Sequence, residues 1–387
     1  MNTHPLTTVA ATQLESAASS PNDAQREAPL FSVIIPTLNE RDNVQCVVDM
    51  LSEVLDGLEW EVVFVDDDSP DGTADVVRQV GQGQLRVRCV QRIRRRGLST
   101  ACIEGMLASN APYLAVMDGD LQHDPALLRK MFDILTMREA ELVVGSRYVD
   151  GGGCGDWSSG RRRISQLGTS IGRWLLAQDL KDPMSTFFAV RRNLLDESVR
   201  GISGRGFKIL LDMMLTLRRP VRFVELPYIL RERHAGESKF DLRIAWEYVL
   251  LLAEKTIGRY LPVRFVSPTV ASIVGSAVQL GILMVAHGAI GGGFSVCETV
   301  ASVLSVIVTY VLGTAGTRDD PRKPGLNWFS KLLSLVVIGG AGATINFGVA
   351  EYLFGRGTAW FLAAAAGALT WVVWNCAAST YSSGHVH

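Results

Sequence analysis

Charged residues become scarce after about position 265 of this 387-residue chain, and cysteine pairs are missing throughout. The six cysteines, Cys46, Cys89, Cys102, Cys154, Cys297 and Cys376, form no CxxC pair and no regular spacing, which argues against a zinc ribbon or a disulfide framework. They are expected to be reduced thiols, mostly buried. No GxxxxGK[ST] segment occurs, and no GxGxxG follows the first strand-like run, so the P-loop and dinucleotide-fold readings lack their fingerprints. The formal net charge is −1, without the basic excess that a nucleic-acid partner would call for. Residues 1–29, rich in Ala, Ser, Thr and Pro, have neither a basic start nor an apolar core. They are expected to be a disordered tail rather than a signal peptide, with the charged part of the chain in the cytoplasm.

Long apolar runs fill the region where charge is scarce. Segments at about 265–287, 294–314, 328–354 and 358–381 each reach the roughly 20 residues needed to cross a bilayer as a helix. Only Glu298, Lys331 and Glu351 carry charge inside them. Four spans are expected. Arg318, Arg322 and Lys323 lie between the second and third, and the positive-inside rule places that loop and both termini in the cytoplasm. Just before the first span, Leu242, Trp246, Val249, Ala253, Ile257 and Tyr260 share one helical stripe, with Arg243, Glu247, Glu254, Lys255 and Arg259 on other faces. This pattern suits a helix lying in the membrane interface; a surface helix packed on the soluble domain is the alternative.

From Phe31 the chain alternates β-branched runs with helix-like stretches, the pattern of an α/β fold with a mostly parallel sheet. Strands are expected at 31–36, 61–65, 85–91, 113–117 and 142–145, and Asn39–Glu40 can cap a helix starting near Asn43. Ligands in open α/β sheets gather at the carboxyl ends of the strands. The second run is followed there by Asp66-Asp67-Asp68-Ser69-Pro70-Asp71-Gly72-Thr73, and the fourth by Asp118-Gly119-Asp120-Leu121-Gln122. The second cluster is the more informative: two carboxylates around a glycine allow close backbone approach and offer hard oxygen ligands to Mg²⁺ or Mn²⁺.

Together these segments resemble family 2 glycosyltransferases of the GT-A fold, and within them the dolichol-phosphate mannose synthases. The resemblance covers about Phe31 to Lys239 and rests on VIIPTLNE (33–40), VDDDSPDGT (65–73), MDGDLQHDP (117–125), GSRYVDGGG (145–153) and RHAGESKF (233–240). The apolar spans resemble a GtrA-like domain fused to some members. The division is then a tail (1–29), a GT-A domain (30–240), an amphipathic interfacial helix (241–261) and a four-span transmembrane domain (262–384).

The resemblance implies that Pro36, Leu38, Glu40, Val65 and Asp67 surround the base and ribose of GDP-mannose, with Asp118, Gly119 and Asp120 nearer the ribose and diphosphate. It makes Asp120 and Gln122 the metal ligands and places Arg147, Arg161 and Ser165 at the phosphate of a polyprenyl or dolichol phosphate acceptor. Arg233, Ser238 and Lys239 belong to a segment that closes over the donor. Asp118, Asp120, Arg147 and Arg233 would be catalytic. The departures are Leu38 where an aromatic is usual, Asp68 for Asn, Ser99 for Gly, and Met184–Thr186 interrupting a DPTSGF-like block; the first loosens the inference to guanine. No Ser, Cys or His nucleophile is evident, and His123 reads as a surface residue at a helix start. A single in-line displacement with inversion fits, because a phosphate monoester needs no protein base. A UDP-glucose or UDP-N-acetylglucosamine donor stays open, as does a lipid-binding or lipid-flipping membrane protein with an idle transferase domain. A processive synthase usually carries QxxRW, whereas Ser170 precedes Arg173-Trp174 here.

Overall fold

The computed structural model describes residues 28–155, 157–231, 242–258, 262–315, 337 and 339–383. Seven strands form one sheet in the order β3-β2-β1-β4-β6-β5-β7. They are β1 (Phe31–Thr37), β2 (Trp60–Asp66), β3 (Val87–Gln91), β4 (Tyr113–Val116), β5 (Leu142–Ser146), β6 (Phe188–Arg191) and β7 (Phe223–Pro227). β6 alone runs antiparallel to its neighbours β4 and β5. Every residue of β1 and β2 is buried, as a parallel sheet covered on both faces requires. The expected strands are present. β6 and β7 were not among them: FAVR and FVELP are short runs, and FVELP carries a proline, which counts against a strand.

Helices α1 (Val44–Val54), α2 (Thr73–Gly83) and α4 (Ala126–Thr136) cover one face, where Val47, Leu51, Val77, Leu128 and Met131 meet Val33, Ile35, Val62 and Phe64. Helices α3 (Leu98–Ala108), α6 (Arg192–Ser198) and α7 (Ile209–Thr216) cover the other, meeting Ile34, Val63 and Val65. Gly105 lets α3 lie close to the sheet: a Cβ there would fall 2.5 Å from Ile34 Cγ2 and 2.7 Å from Val65 Cγ2. The expected cap at Asn39–Glu40 does not form. A 3-10 turn at Arg41–Asn43 precedes α1, no side chain caps either start, and Asn39 takes a left-handed φ of 61° instead.

Helix α8 (Leu242–Ile257) joins this layer structure to the apolar helices α9 (Val263–Leu283), α10 (Phe294–Ala315), α11 (Gly340–Gly355) and α12 (Trp360–Ser383). Trp246, Leu250 and Ala253 of α8 pack on Val266, Val270 and Leu312, whereas Val249 is exposed. Its polar residues grip the α/β layers through Lys255–Asp212 (2.6 Å) and Glu254–Arg205 (3.2 Å). Among the described residues three helices are long and apolar enough to cross a membrane: Phe265–Ala289, Phe294–Gly313 and Trp360–Ala378. Of the expected segment at 328–354, the described part is helical over Gly340–Gly355; most of the rest, with the basic loop at 318–323, lies outside the described residues. Gln279, Glu298, Ser302 and Asn346 are buried between α9, α10 and α11, where Gln279 donates to Glu298 Oε1 (2.6 Å) and accepts from Asn346 (2.9 Å). Amides can satisfy one another in this way where water is absent.

Candidate active site

β1 lies between β2 and β4, so the chain leaves it toward both halves of the sheet, and the crevice past the strand ends opens there. The register pairs Pro36 with Val65 and Ile34 with Val116, which brings the loops after β1, β2 and β4 to one edge. The first two loops are stitched together. Asn39 N–H donates to Ser69 Oγ (2.9 Å), Glu40 N–H to Thr73 Oγ1 (3.1 Å) and Arg41 N–H to Asp71 Oδ2 (3.2 Å). Burial would raise the Asp71 carboxyl, but the hydrogen bonds from the Thr73 side chain and backbone and from Arg41 outweigh it and hold the group below its ordinary value. Asp66 is fully buried and accepts from the Ser69 backbone and hydroxyl.

The proposed donor residues fall into two kinds. Leu38 is 43% exposed at the mouth of the crevice, and Glu40 stands beside it, accepting from Asn43 Nδ2 (2.6 Å). Pro36 and Val65 are buried in the strands, which leaves their backbone as the part near the crevice. Asp67 is anchored from within: Arg92 binds one carboxylate oxygen and Gly97 N–H the other (2.6 Å). Burial nevertheless raises its pKa, with Gly97 and Arg92 offsetting part of the effect. Arg92 is a residue that sequence reasoning passed over. Its role follows from being a buried cation that also reaches Thr100 (2.6 Å) and Glu104 (3.2 Å).

Past β4, Asp118, Gly119 and Asp120 bend around the sheet edge. A Cβ on Gly119 would lie 3.2 Å from Ile35 and 3.4 Å from Thr37, so the position takes no larger side chain without the sheet edge giving way. Asp118 accepts from Thr186 Oγ1 (2.7 Å), and Asp120 Oδ1 from Gln122 N–H (3.2 Å). The Gln122 amide nitrogen donates to Arg231 O (2.8 Å), tying this loop to the chain that leads toward residue 232. His123 is not the surface residue the sequence suggested. It is buried, stacked on Phe187 with centroids 4.8 Å apart and edge-on to Tyr228. Its Nδ1 accepts from Asp118 N–H (3.2 Å). Burial lowers its pKa, against the pull of Asp118 and Asp120, so the ring is a neutral support beneath the acidic loop.

Arg147 follows β5 and is held by fully buried Asp182: Nε and Nη2 each donate at 2.8 Å, and the Arg147 backbone N–H donates at 3.0 Å. Burial disfavours the charged guanidinium, but the Asp182 hydrogen bonds and charge outweigh that and hold its pKa above the ordinary value. Trp157 lies beside both candidate acceptor arginines, 5.6 Å from the Arg147 guanidinium carbon and 4.2 Å from that of Arg161. Tyr148 Oη hydrogen-bonds Ser165 (2.9 Å). Arg147, Arg161 and Ser165 are thus brought to one place. Arg233, Ser238 and Lys239 lie outside the described residues.

Arg161 and Ser165 sit on helix α5 (Ser159–Leu175), whose N-terminus is capped by Ser158. Ile164, Leu167, Ile171 and Trp174, spaced at 3, 4 and 3 residues, are all exposed, Trp174 at 82%. An apolar stripe beside Arg161, Arg162, Arg163 and Arg173 is the pattern of a helix that rests on a membrane surface. The period is present in the sequence but is masked there by the basic residues of the segment.

Residues 32–199 match the family "Glycosyl transferase family 2". A dolichol-phosphate mannosyltransferase from Pyrococcus furiosus is 32% identical over 323 residues, 82% of this chain and 88% of that protein. The protein of the same name from Saccharomyces cerevisiae is 32% identical over 239 residues, 59% of this chain and 88% of that protein. Among solved structures, glucosyl-3-phosphoglycerate synthase from Mycobacterium tuberculosis, in complex with Mn²⁺, UDP-glucose and phosphoglyceric acid, superposes with a TM-score of 0.46 at 18% identity, covering 66% of this chain and 85% of that one.

Proposed function

Since the chain belongs to glycosyl transferase family 2, with dolichol-phosphate mannosyltransferases as its relatives, we propose that it transfers mannose from GDP-mannose to the phosphate of a polyprenyl or dolichol lipid. The observation that carries this reading is the meeting of an acidic crevice with a cationic cluster, Asp118 and Asp120 on one side and Arg147, Arg161 and Ser165 on the other. The acidic loop suits a metal–diphosphate and the cationic group suits a lipid phosphate.

The oxygen donors of Asp120 and Gln122 fit Mg²⁺ or Mn²⁺. One or two protein oxygens suit such an ion when substrate phosphates complete its shell. When bound, the metal would neutralise charge on the departing diphosphate. Asp118 is fixed by Thr186 and its backbone by His123, so this loop is preorganised before substrate arrives. Asp182 aims the Arg147 fork, and Arg147 orients the acceptor. A phosphate monoester with a second pKa of about 6 is mostly dianionic at neutral pH, so no protein base is needed. One of its oxygens attacks the anomeric carbon, the carbon–oxygen bond to the diphosphate breaks, and GDP leaves with the electron pair. The stereochemistry inverts.

The exposed stripe of α5 and the apolar helices α9, α10 and α12 support a site at the level of lipid headgroups; the cytoplasmic side is proposed from the basic loop at 318–323 alone. The test is to incubate the purified intact protein with polyprenyl phosphate, Mg²⁺ or Mn²⁺, and GDP-mannose, UDP-glucose or UDP-N-acetylglucosamine in parallel, then weigh the lipid products. Hexosyl lipid with GDP-mannose alone, abolished by EDTA, supports the proposal. Product with a UDP-sugar instead contradicts the donor, and no product with any donor contradicts transfer.

A further inference from the structure

Trp157 has no part in the reaction described so far, yet its ring lies against both arginines proposed for the acceptor phosphate. The guanidinium carbon of Arg161 stands 4.2 Å from the ring centroid and that of Arg147 5.6 Å, both inside the roughly 6 Å over which an aromatic face attracts a cation. The two arginines come from different elements: Arg147 follows β5, and Arg161 is on α5. One indole therefore bridges them.

The ring is itself held from behind. Gly153 N–H donates to Tyr228 O and Leu230 N–H to Gly153 O, each at 3.0 Å. At Gly155, whose φ is 56°, a Cβ would fall 2.3 Å from Leu230 O. The chain just ahead of Trp157 is thus pinned to the segment that follows β7, and the half-buried ring packs on the same core cluster as Tyr228 and Leu230. The next residue, Ser158, caps α5. Tyr148 adds a second tie, with its ring 5.5 Å from the Arg147 guanidinium carbon and its Oη bonded to Ser165 of α5 (2.9 Å).

Two like charges brought to one place repel. A carboxylate between them would relieve the repulsion only by occupying the N–H groups that a phosphate needs. An aromatic ring attracts a guanidinium through its face and takes up none of the in-plane donors. Asp182 engages Arg147 Nε and Nη2, and Arg147 Nη1 has no hydrogen-bond partner among the described residues.

We propose that Trp157 is a positioning residue for the acceptor, holding Arg147 and Arg161 side by side as one phosphate-binding pair while leaving their N–H groups to the incoming dianion. This rests on the transferase reading above and adds to it the residue that sets α5 in register with the site.

Trp157→Leu and Trp157→Phe in the intact detergent-solubilised protein make the test, with steady-state kinetics for polyprenyl phosphate and for GDP-mannose. Loss of the ring's attraction for the pair corresponds to about a 2- to 30-fold rise in acceptor KM. Trp157→Leu should show that rise with kcat and the donor KM little changed, and Trp157→Phe, which keeps an aromatic face, should restore most of the loss. In an Arg161→Met background, Trp157→Leu should add much less than it does alone, because the contact is already gone. An unchanged acceptor KM in Trp157→Leu overturns the proposal. Equal impairment by Leu and Phe, a parallel rise in donor KM, or full additivity with Arg161→Met also overturns it, since each would make the ring a packing element only. If the wild type transfers no sugar at all, the transferase reading fails separately. Direct binding of polyprenyl phosphate then decides the role of the ring: weaker binding in Trp157→Leu that Trp157→Phe restores supports it, and equal binding in all three proteins overturns it.

Discussion

Replacing Asp182 by Asn changes almost nothing in shape and removes the charge that holds Arg147. Asp182 has no exposed surface and the Arg147 side chain has 11%. Two side-chain hydrogen bonds at 2.8 Å and one backbone bond at 3.0 Å end on its two oxygens. In the variant one oxygen still accepts, but an NH₂ faces a guanidinium N–H, and the arginine charge is left without compensation. Breaking a buried pair in this way costs about 3–5 kcal/mol. For a domain of this size that corresponds to a fall in melting temperature of about 6–20 °C. The assay is a thermal melt of the intact protein in detergent, followed by tryptophan fluorescence. Because a buried pair can be replaced by apolar groups at little net cost, the double variant Arg147→Met/Asp182→Leu should recover a large part of the loss in stability while remaining inactive. A single variant that melts with the wild type would refute the view that the pair is a buried and mutually dependent unit.

Gly145→Ala would place a Cβ 2.7 Å from Phe187 Cδ1, pressing on the ring that supports His123; a destabilisation of about 1–3 kcal/mol is expected on melting, and an unchanged melting point would contradict the packing. Glu141 is held below the ordinary glutamate value chiefly by its hydrogen bonds to Arg219, so its contribution to stability is complete at neutral pH and is lost as pH falls through its folded-state pKa. Glu141→Gln should therefore flatten the acid side of the stability–pH curve, and an identical acid profile would show that the group contributes nothing. In the apolar helices, Gln279→Leu removes both the donor to Glu298 and the acceptor for Asn346, for which about 0.6–2 kcal/mol is expected; no change in detergent stability would argue that the cluster is incidental.

The sheet and the acidic edge were legible because burial writes itself into the sequence. Strands buried on both faces read as VIIP and VVFV, and ligand-facing loops read as Asp and Gly at their ends. What escaped has a common origin in long-range partnership. His123 sits beside Asp118 in the sequence but is buried by Phe187 and Tyr228, 64 and 105 residues away. Arg147 could be recognised as a phosphate-type residue, yet its geometry is set by Asp182, whose place beside it depends on the antiparallel β6 that no local pattern announced. Asn commonly caps helices, whereas the stitching of the Asn39 loop to Ser69 and Asp71 takes the backbone elsewhere. Residues of α8 matched a membrane stripe by spacing, and the structure places Trp246 and Ala253 of that stripe against the first apolar span.

The claim most open to direct contradiction is that the lipid phosphate itself attacks the sugar in one step, with no covalent sugar–protein intermediate. The anomeric configuration of the lipid product, formed by the purified protein from the α-linked GDP-mannose and polyprenyl phosphate and read by proton and phosphorus NMR, tests it. A β-linked mannosyl phosphate is the predicted result. An α-linked product would contradict single displacement and require a nucleophile that the account does not contain.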